Sequence, residues 1–247
     1  MKRQLYQDKK PAQIRAILGE NPADHLVDKI ETVFDVDVVV VPLAGDGYVM
    51  SWPSRDVIVT ACSPSWFRQI FTIAHEVGHL ANETYCDGIL SAHENDEAAA
   101  NHFAADLLMP EEQIRSIDWQ NLDLGVLADF IWKWGVSTEA LSSRLSSLKI
   151  VPAPPIAQIL AGKTQALLRK HWSMPPGPDL ITQRMENSST RRFPTALISA
   201  LETAVREGRA PKASLAYALG VEENRLDVND HSADDLESGL LLLDDMG

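Results

Sequence analysis

The stretch TIAHEVGHL, residues 72–80, decides the fold because it places two histidines four positions apart around a glutamate. Residues i and i+4 of an α-helix lie on one face, so His75 and His79 can present both imidazoles to one metal ion while Glu76 stands beside it. At this composition and length, an HExxH pattern arises by chance with a probability of about 1%. The alternative is that both histidines are ordinary residues of an amphipathic helix. The pattern favours a metal centre.

The residues around this stretch predict a small α+β domain. Before it, the segments DVVVVPL, GYVMSW and DVIVTAC alternate with turn residues, which predicts a three-stranded antiparallel sheet. The stretch itself lies on a helix whose apolar stripe would face the core. That stripe consists of Trp66, Ile70, Ile73, Val77 and Leu80. Further helices are predicted at 94–110, about 110–117, 122–134 and 137–148.

A catalytic zinc site needs a third protein ligand and an open position for water. The long metzincin motif is excluded because Asn82 and Tyr85 stand where that motif requires glycine and histidine. The remaining candidates are the carboxylates that follow, namely Glu83, Glu94, Asp96 and Glu97. Glu97 lies inside the next predicted helix and precedes the small residues 98–100, which would let the two helices approach closely. We therefore predict Glu97 as the third ligand.

Two neighbouring residues have alternative interpretations. Asn101 shares the helix face of Glu97 and can hydrogen-bond a ligand histidine, or it can simply face solvent. Cys86 is a softer rival ligand for zinc, but its use would leave Glu97 unexplained.

The two motifs together resemble a known family. HEVGH at 75–79, followed by ENDEAAANHFAADLLMP at 94–110, resembles the paired HExxH and ExxANxFAAxLLMP motifs of the ImmA/IrrE metallo-endopeptidases. The resemblance implies an α+β fold with a mostly helical, zincin-like domain of the gluzincin type and a small antiparallel sheet. It also implies His75, His79 and Glu97 as metal ligands and Glu76 as catalytic base. Zinc is the implied metal, and manganese is an alternative because two imidazoles and a carboxylate also suit it.

The resemblance further implies a function. Its members include cytoplasmic zinc-dependent endopeptidases that cleave a regulatory protein, often a helix-turn-helix repressor, in gene regulation or stress responses. The alternative is a non-catalytic, zinc-ordered binding protein that sequesters a repressor or a toxin–antitoxin partner. An intact Glu76 favours the enzyme, because a purely structural site needs no base. Candidates for the donor that stabilises the oxyanion are Tyr85, His93 and His102.

Composition and charge restrict the remaining regions. We predict a peptidase domain at 1–150, a helical module of unassigned role at 151–225 after the proline-rich VPAPP, and an acidic, mobile tail at 226–247. The net charge is −13, and a helix predicted at VEENRLD, residues 221–227, would offer Glu222, Glu223 and Asp227 to phosphates, so no direct nucleic acid binding is expected. The sequence has no apolar run long enough to span a membrane and no signal-peptide core, which predicts a cytoplasmic protein.

Overall fold

The computed structural model describes residues 3–19, 21, 23, 25–51, 55–82, 85–86, 89–90 and 94–227; for 85–86, 89–90 and 94 it describes the backbone alone. The chain packs as two compact units, the first ending at Thr190 and the second beginning at Arg191. Among the described helices, none has the length and apolar character needed to cross a bilayer. The predicted metal site lies within the first unit.

The first unit contains one small mixed sheet. Its strands are β1 (Val36–Val41), β2 (Gly47–Ser51), β3 (Asp56–Ala61), β4 (Tyr85–Cys86) and β5 (Ile89–Leu90), in the order β1-β3-β2-β5-β4. The predicted antiparallel arrangement is wrong for the first pair, because β1 runs parallel to β3 from Val36 opposite Asp56 to Val41 opposite Ala61. The strand β2 pairs antiparallel with β3, as expected for a hairpin. The first five residues of both β1 and β3 are buried, a pattern typical of parallel strands covered on both faces.

Helices make up most of the first unit, and those at 94–108, 111–115, 124–134 and 138–147 lie close to the predicted positions. The described helices are α1 (Pro11–Leu18), α2 (Leu26–Lys29) with a π-helical extension (Ile30–Phe34), α3 (Trp66–Asn82), α4 (Glu94–Leu108), α5 (Glu111–Arg115), α6 (Leu124–Trp134), α7 (Thr138–Ser147), α8 (Pro154–Leu160), α9 (Thr164–His171) and α10 (Leu180–Ser189). In α3, Trp66, Ile73, Val77 and Leu80 are buried, which confirms the predicted apolar stripe.

Helices α3 and α4 meet at a glycine. A Cβ added at Gly78 would lie 3.1 Å from the Cβ of Phe103 and 3.2 Å from the Cα of Ala100, so only glycine allows this separation without a shift. Ala100 is fully buried between the helices, whereas residues 98 and 99 are exposed. Of the three predicted small residues, therefore, Ala100 alone serves the close approach.

Two arginines hold the C-terminal end of α4. Arg15 donates through Nη2 to the backbone oxygens of Asp106, at 3.1 Å, and Leu107. Arg144 donates through Nε to the oxygen of Met109, at 3.0 Å, and pairs with the carboxylate of Asp106. The last carbonyls of a helix have no partner inside the helix, so these guanidinium groups satisfy acceptors that would otherwise be unpaired. They fix the helix that carries Glu97.

Residues 151–190 pack into the same hydrophobic core as the helices before them. Buried core residues from this segment are Ile156, Leu160, Leu167, Leu168 and Ile181. Trp172 stacks on Trp132 with 3.9 Å between ring centroids, and Arg184 covers the same ring at 3.8 Å. Pro154 occupies the start of α8, so the proline-rich linker leads directly into a helix. The predicted boundary at residue 150, between a peptidase domain and a helical module, stays a prediction.

The second unit contains α11 (Thr195–Arg206), α12 (Lys212–Leu219) and a short 3-10 helix (Glu223–Arg225). The guanidinium of Arg191 lies 4.3 Å from the centre of the Tyr217 ring, which Phe193 meets edge-on at 6.0 Å. The predicted acidic tail lies outside the described residues from position 228 onward. Its mobility therefore stays a prediction.

Candidate metal centre

The two histidines of α3 converge on one point. Their Nε2 atoms are 3.0 Å apart, and their rings are inclined at 74°. The His79 side chain is fully buried, and burial, reinforced by the neighbouring His75, lowers the pKa of His79 despite opposing effects of Glu97 and Asp96. A lowered pKa keeps the imidazole neutral, which is the form that binds a metal ion.

Glu97 completes the group from the neighbouring helix. Its Oε2 lies 3.2 Å from Nε2 of His75, and its Oε1 lies 3.4 Å from Nε2 of His79. The structure thus brings together the three residues predicted as ligands, and donor atoms of all three lie within 4.8 Å of one another. The rival Asp96 is not part of this group, while Glu83 and the side chain of Glu94 lie outside what the structure describes.

The geometry of these donors fits a zinc ion. Zinc binds imidazole nitrogen and carboxylate oxygen at about 2.0–2.1 Å, and a tetrahedral arrangement then separates neighbouring ligand atoms by about 3.4 Å. The observed separations of 3.0, 3.2 and 3.4 Å are close to this value. Two imidazoles and one carboxylate also leave a fourth tetrahedral position for water or substrate, as in catalytic rather than structural zinc sites.

Asn101 orients one of the histidines. Its Oδ1 lies 3.0 Å from Nδ1 of His75, one helical turn after Glu97. An amide oxygen can only accept, so Nδ1 of His75 carries the proton and Nε2 presents its lone pair to the metal position. The predicted hydrogen bond between Asn101 and a ligand histidine is present in the structure.

Glu76 is buried and directly follows the predicted ligand His75 on α3. Glu76 is only 3% exposed, and its Oε2 has no hydrogen-bond partner among the described residues. Burial, followed by the negative charge of Glu97, raises the pKa of Glu76 to about 8. A buried carboxylate oxygen without a partner is costly, and a water molecule or substrate beside a cation would satisfy it.

A glycine on β2 allows close packing against Thr72 and Val59 next to this carboxylate. A Cβ added at Gly47 would lie 2.7 Å from Cγ2 of Thr72, 2.8 Å from the oxygen of Val59 and 3.5 Å from Oε1 of Glu76. The segment GDG at 45–47 predicts a turn, and that interpretation alone does not indicate the contact of Gly47 with the site. The signal that could have identified it is a glycine at the first position of a predicted strand.

The residues predicted to stabilise the oxyanion remain predictions. The structure describes only the backbone of Tyr85 and Cys86, in β4, and His93 lies outside the described residues. His102 lies on α4 with a side chain that is 70% exposed, and its Nδ1 lies 3.8 Å from Oδ2 of Asp106.

Paired helices that bring HExxH histidines and a later glutamate together define the class of zincin-like metallopeptidases. Within that class, residues 33–146 match the family described as Peptidase_M78, IrrE N-terminal-like domain. This part of the chain is therefore a domain of the ImmA/IrrE metallopeptidase family, and the resemblance of the two motifs is confirmed. No curated protein sequence matches the chain.

Proposed function

We propose that this protein is a zinc-dependent endopeptidase that cleaves a regulatory protein, a helix-turn-helix transcriptional repressor, in the cytoplasm. The observation that carries the enzymatic part is the buried Glu76 with an unpartnered oxygen beside a three-ligand group. A site that only stabilised a fold would be closed by a fourth protein ligand and would need no base. The choice of a repressor rests on the resemblance to ImmA/IrrE proteins.

The chain supplies every group that zinc would need. His75 and His79 would bind through Nε2, and Glu97 through its carboxylate. Zinc held there would supply Lewis acidity that polarises the scissile carbonyl and lowers the pKa of water toward 7. Asn101 holds the His75 ring in the tautomer that leaves Nε2 unprotonated.

Glu76 moves the proton. In its ionised form it accepts a proton from the attacking water at a carboxylate oxygen and then delivers that proton to the nitrogen of the leaving amine. Its buried position raises the proton affinity of that carboxylate, which makes acceptance from water more favourable. A bound cation would oppose this rise because positive charge stabilises the carboxylate.

The site is accessible to a polypeptide on the side of α4. The Glu97 side chain is 42% exposed, whereas His79 and Glu76 are buried, and Glu76 lies next to Gly47 of β2. An extended segment of substrate can therefore approach over α4, which suits a peptidase that acts within a chain.

A cleavage experiment in cells and with purified components tests the proposal. Proteomes of cells that express the wild-type protein and the Glu76→Gln variant are compared, and the repressor that loses its intact form only with the wild type is purified. We expect the zinc-loaded protein to cut this repressor and both the chelator and Glu76→Gln to prevent cutting. Glu76→Gln should still bind stoichiometric zinc by elemental analysis. Cleavage by that variant would refute the assigned base, and intact repressors throughout would favour the sequestering alternative.

A further inference from the structure

A groove lies next to the metal centre: Asn101, which contacts His75, lines it together with other residues of α3 and α4. On α3, Phe71 lies one turn before His75, and on α4, Asn101 and Ala105 lie one and two turns after Glu97. Phe71, Asn101 and Ala105 all line the groove. Because residues four apart share a helix face, the helix faces that hold the metal ligands continue into its floor. Its volume is about 1720 Å³, well above the size of a pocket for a small molecule, and suits a stretch of polypeptide.

One wall of the groove is α7 with the residues that flank it. Three serines of this helix, Ser142, Ser143 and Ser147, line the groove; the Ser147 hydroxyl donates to the oxygen of Arg144, and the other two offer hydroxyl donors. Lys149 follows the C-terminal end of α7. Lys163 lies at the other end, where Thr138 donates to the oxygen of Gly162 at 2.7 Å. Lysines thus stand at both ends of a serine-lined wall.

These two lysines are the available positive charges of the groove. The three arginines that line it are already paired, Arg68 with Asp46, Arg115 with Glu111 and Arg144 with Asp106. Lys149 and Lys163 are exposed, and within the described part of the chain neither has an ion-pair partner. In a protein with a net charge of −13, two unpaired lysines among hydroxyl donors form a local site for negative charge.

We propose that this groove binds an acidic segment of the protein substrate, with one carboxylate cluster at Lys149 and another at Lys163. The proposal rests on the proposed peptidase function and adds the chemistry of the substrate. A ten-residue helix such as α7 is about 15 Å long, and an extended chain covers that distance in about four or five residues. The preferred segment therefore carries two acidic clusters about four or five residues apart.

Acidic side chains in the groove favour a peptide over a nucleic acid. Asp106, Glu111 and Glu139 line it together with the lysines. A continuous phosphate backbone would meet these carboxylates, whereas a peptide with spaced charges can place neutral residues opposite them.

A binding measurement on the full-length, zinc-loaded Glu76→Gln variant tests whether the groove binds an acidic segment, without relying on cleavage. The probe is a fluorescein-labelled octapeptide, EEGSGSEE, followed by anisotropy at low ionic strength. We expect it to bind at least tenfold more tightly than the same peptide with glutamine in place of glutamate. The charge reversals Lys149→Glu and Lys163→Glu together should weaken binding about tenfold, because each turns an attraction into a repulsion.

Matched controls separate the groove from overall charge. Lys133→Glu and Lys170→Glu reverse two exposed lysines of the same unit that do not line the groove, and they should leave binding within about twofold. Equal losses in both double variants, or equal binding of the glutamate and glutamine peptides, would overturn the proposal. So would tighter binding of a single-stranded oligonucleotide of the same length. If acidic-peptide binding follows the lysines while no cleavage is found in cells, the proposed proteolysis fails and the groove assignment stands.

Discussion

The raised pKa of Glu76 predicts that the metal-free protein loses stability as pH rises. A carboxyl group whose pKa is higher in the folded state favours folding only in its protonated form. The folded state therefore loses stability from about the ordinary value of 4.5 up to about 8, and the loss is complete above that pH. At 1.36 kcal/mol per pKa unit, a rise from 4.5 to about 8 corresponds to a full loss of about 5 kcal/mol. Because the residue is only 3% exposed, solvent does little to reduce it.

Replacing Glu76 by glutamine removes the ionisation and should remove this loss. We expect chelator-treated Glu76→Gln to be more stable than the chelator-treated wild type at pH 8 to 9 by several kcal/mol, and the two to differ much less at pH 5. Urea unfolding at each pH, followed by circular dichroism, gives both curves. Glu112→Gln, at an exposed position of α5, is the matched control and should follow the wild type. Parallel curves for the wild type and Glu76→Gln would refute the reasoning.

The remaining predictions concern the ligands and the helix contact. Glu97→Ala should lower the metal content of the purified protein, and an unchanged metal-to-protein ratio would remove Glu97 from the ligand set. Asn101→Leu should weaken zinc binding about 10–100-fold in chelator competition because the His75 ring loses its hydrogen-bond acceptor. Asn101→Asp keeps an acceptor and should retain most of the affinity. Equal affinity of Asn101→Leu and wild type would contradict the orienting role of Asn101. Gly78→Ala should destabilise the protein by about 1 kcal/mol. Overpacking against Phe103 costs about 1–3 kcal/mol, whereas the higher helix propensity of alanine stabilises the helix by only about 1 kcal/mol. A rise in the midpoint of urea unfolding would show that the helices can separate freely.

The grouping of His75, His79 and Glu97 could be predicted because these residues lie on two helices that are consecutive in the sequence. Two histidines four apart and an apolar stripe define one helix face, and Glu97 follows on the next helix in the sequence. The structure places these side chains at ligand distances. The partner of His75 could be predicted for the same reason, since Asn101 shares the face of Glu97.

The sheet order and the groove could not be predicted because both depend on contacts between residues that are far apart in the sequence. The turn residues between β2 and β3 specify a hairpin, but nothing local specifies that β3 lies between β2 and β1. The four consecutive valines at 38–41, which do not alternate with polar residues, were a signal of a parallel pair. The groove brings together α3, α4, α7 and α9, and the lysines that define it are ordinary surface residues in the sequence.

The arginine contacts at the end of α4 have a consequence for the order in which the protein can mature during translation. The helix that carries Glu97 is fixed by Arg15, made early, and by Arg144, which lies far downstream of the histidines. A nascent chain that has emerged only through α4 lacks the second of these restraints. The helix that carries Glu97 therefore gains its full set of restraints only after α7, which contains Arg144, has been synthesised.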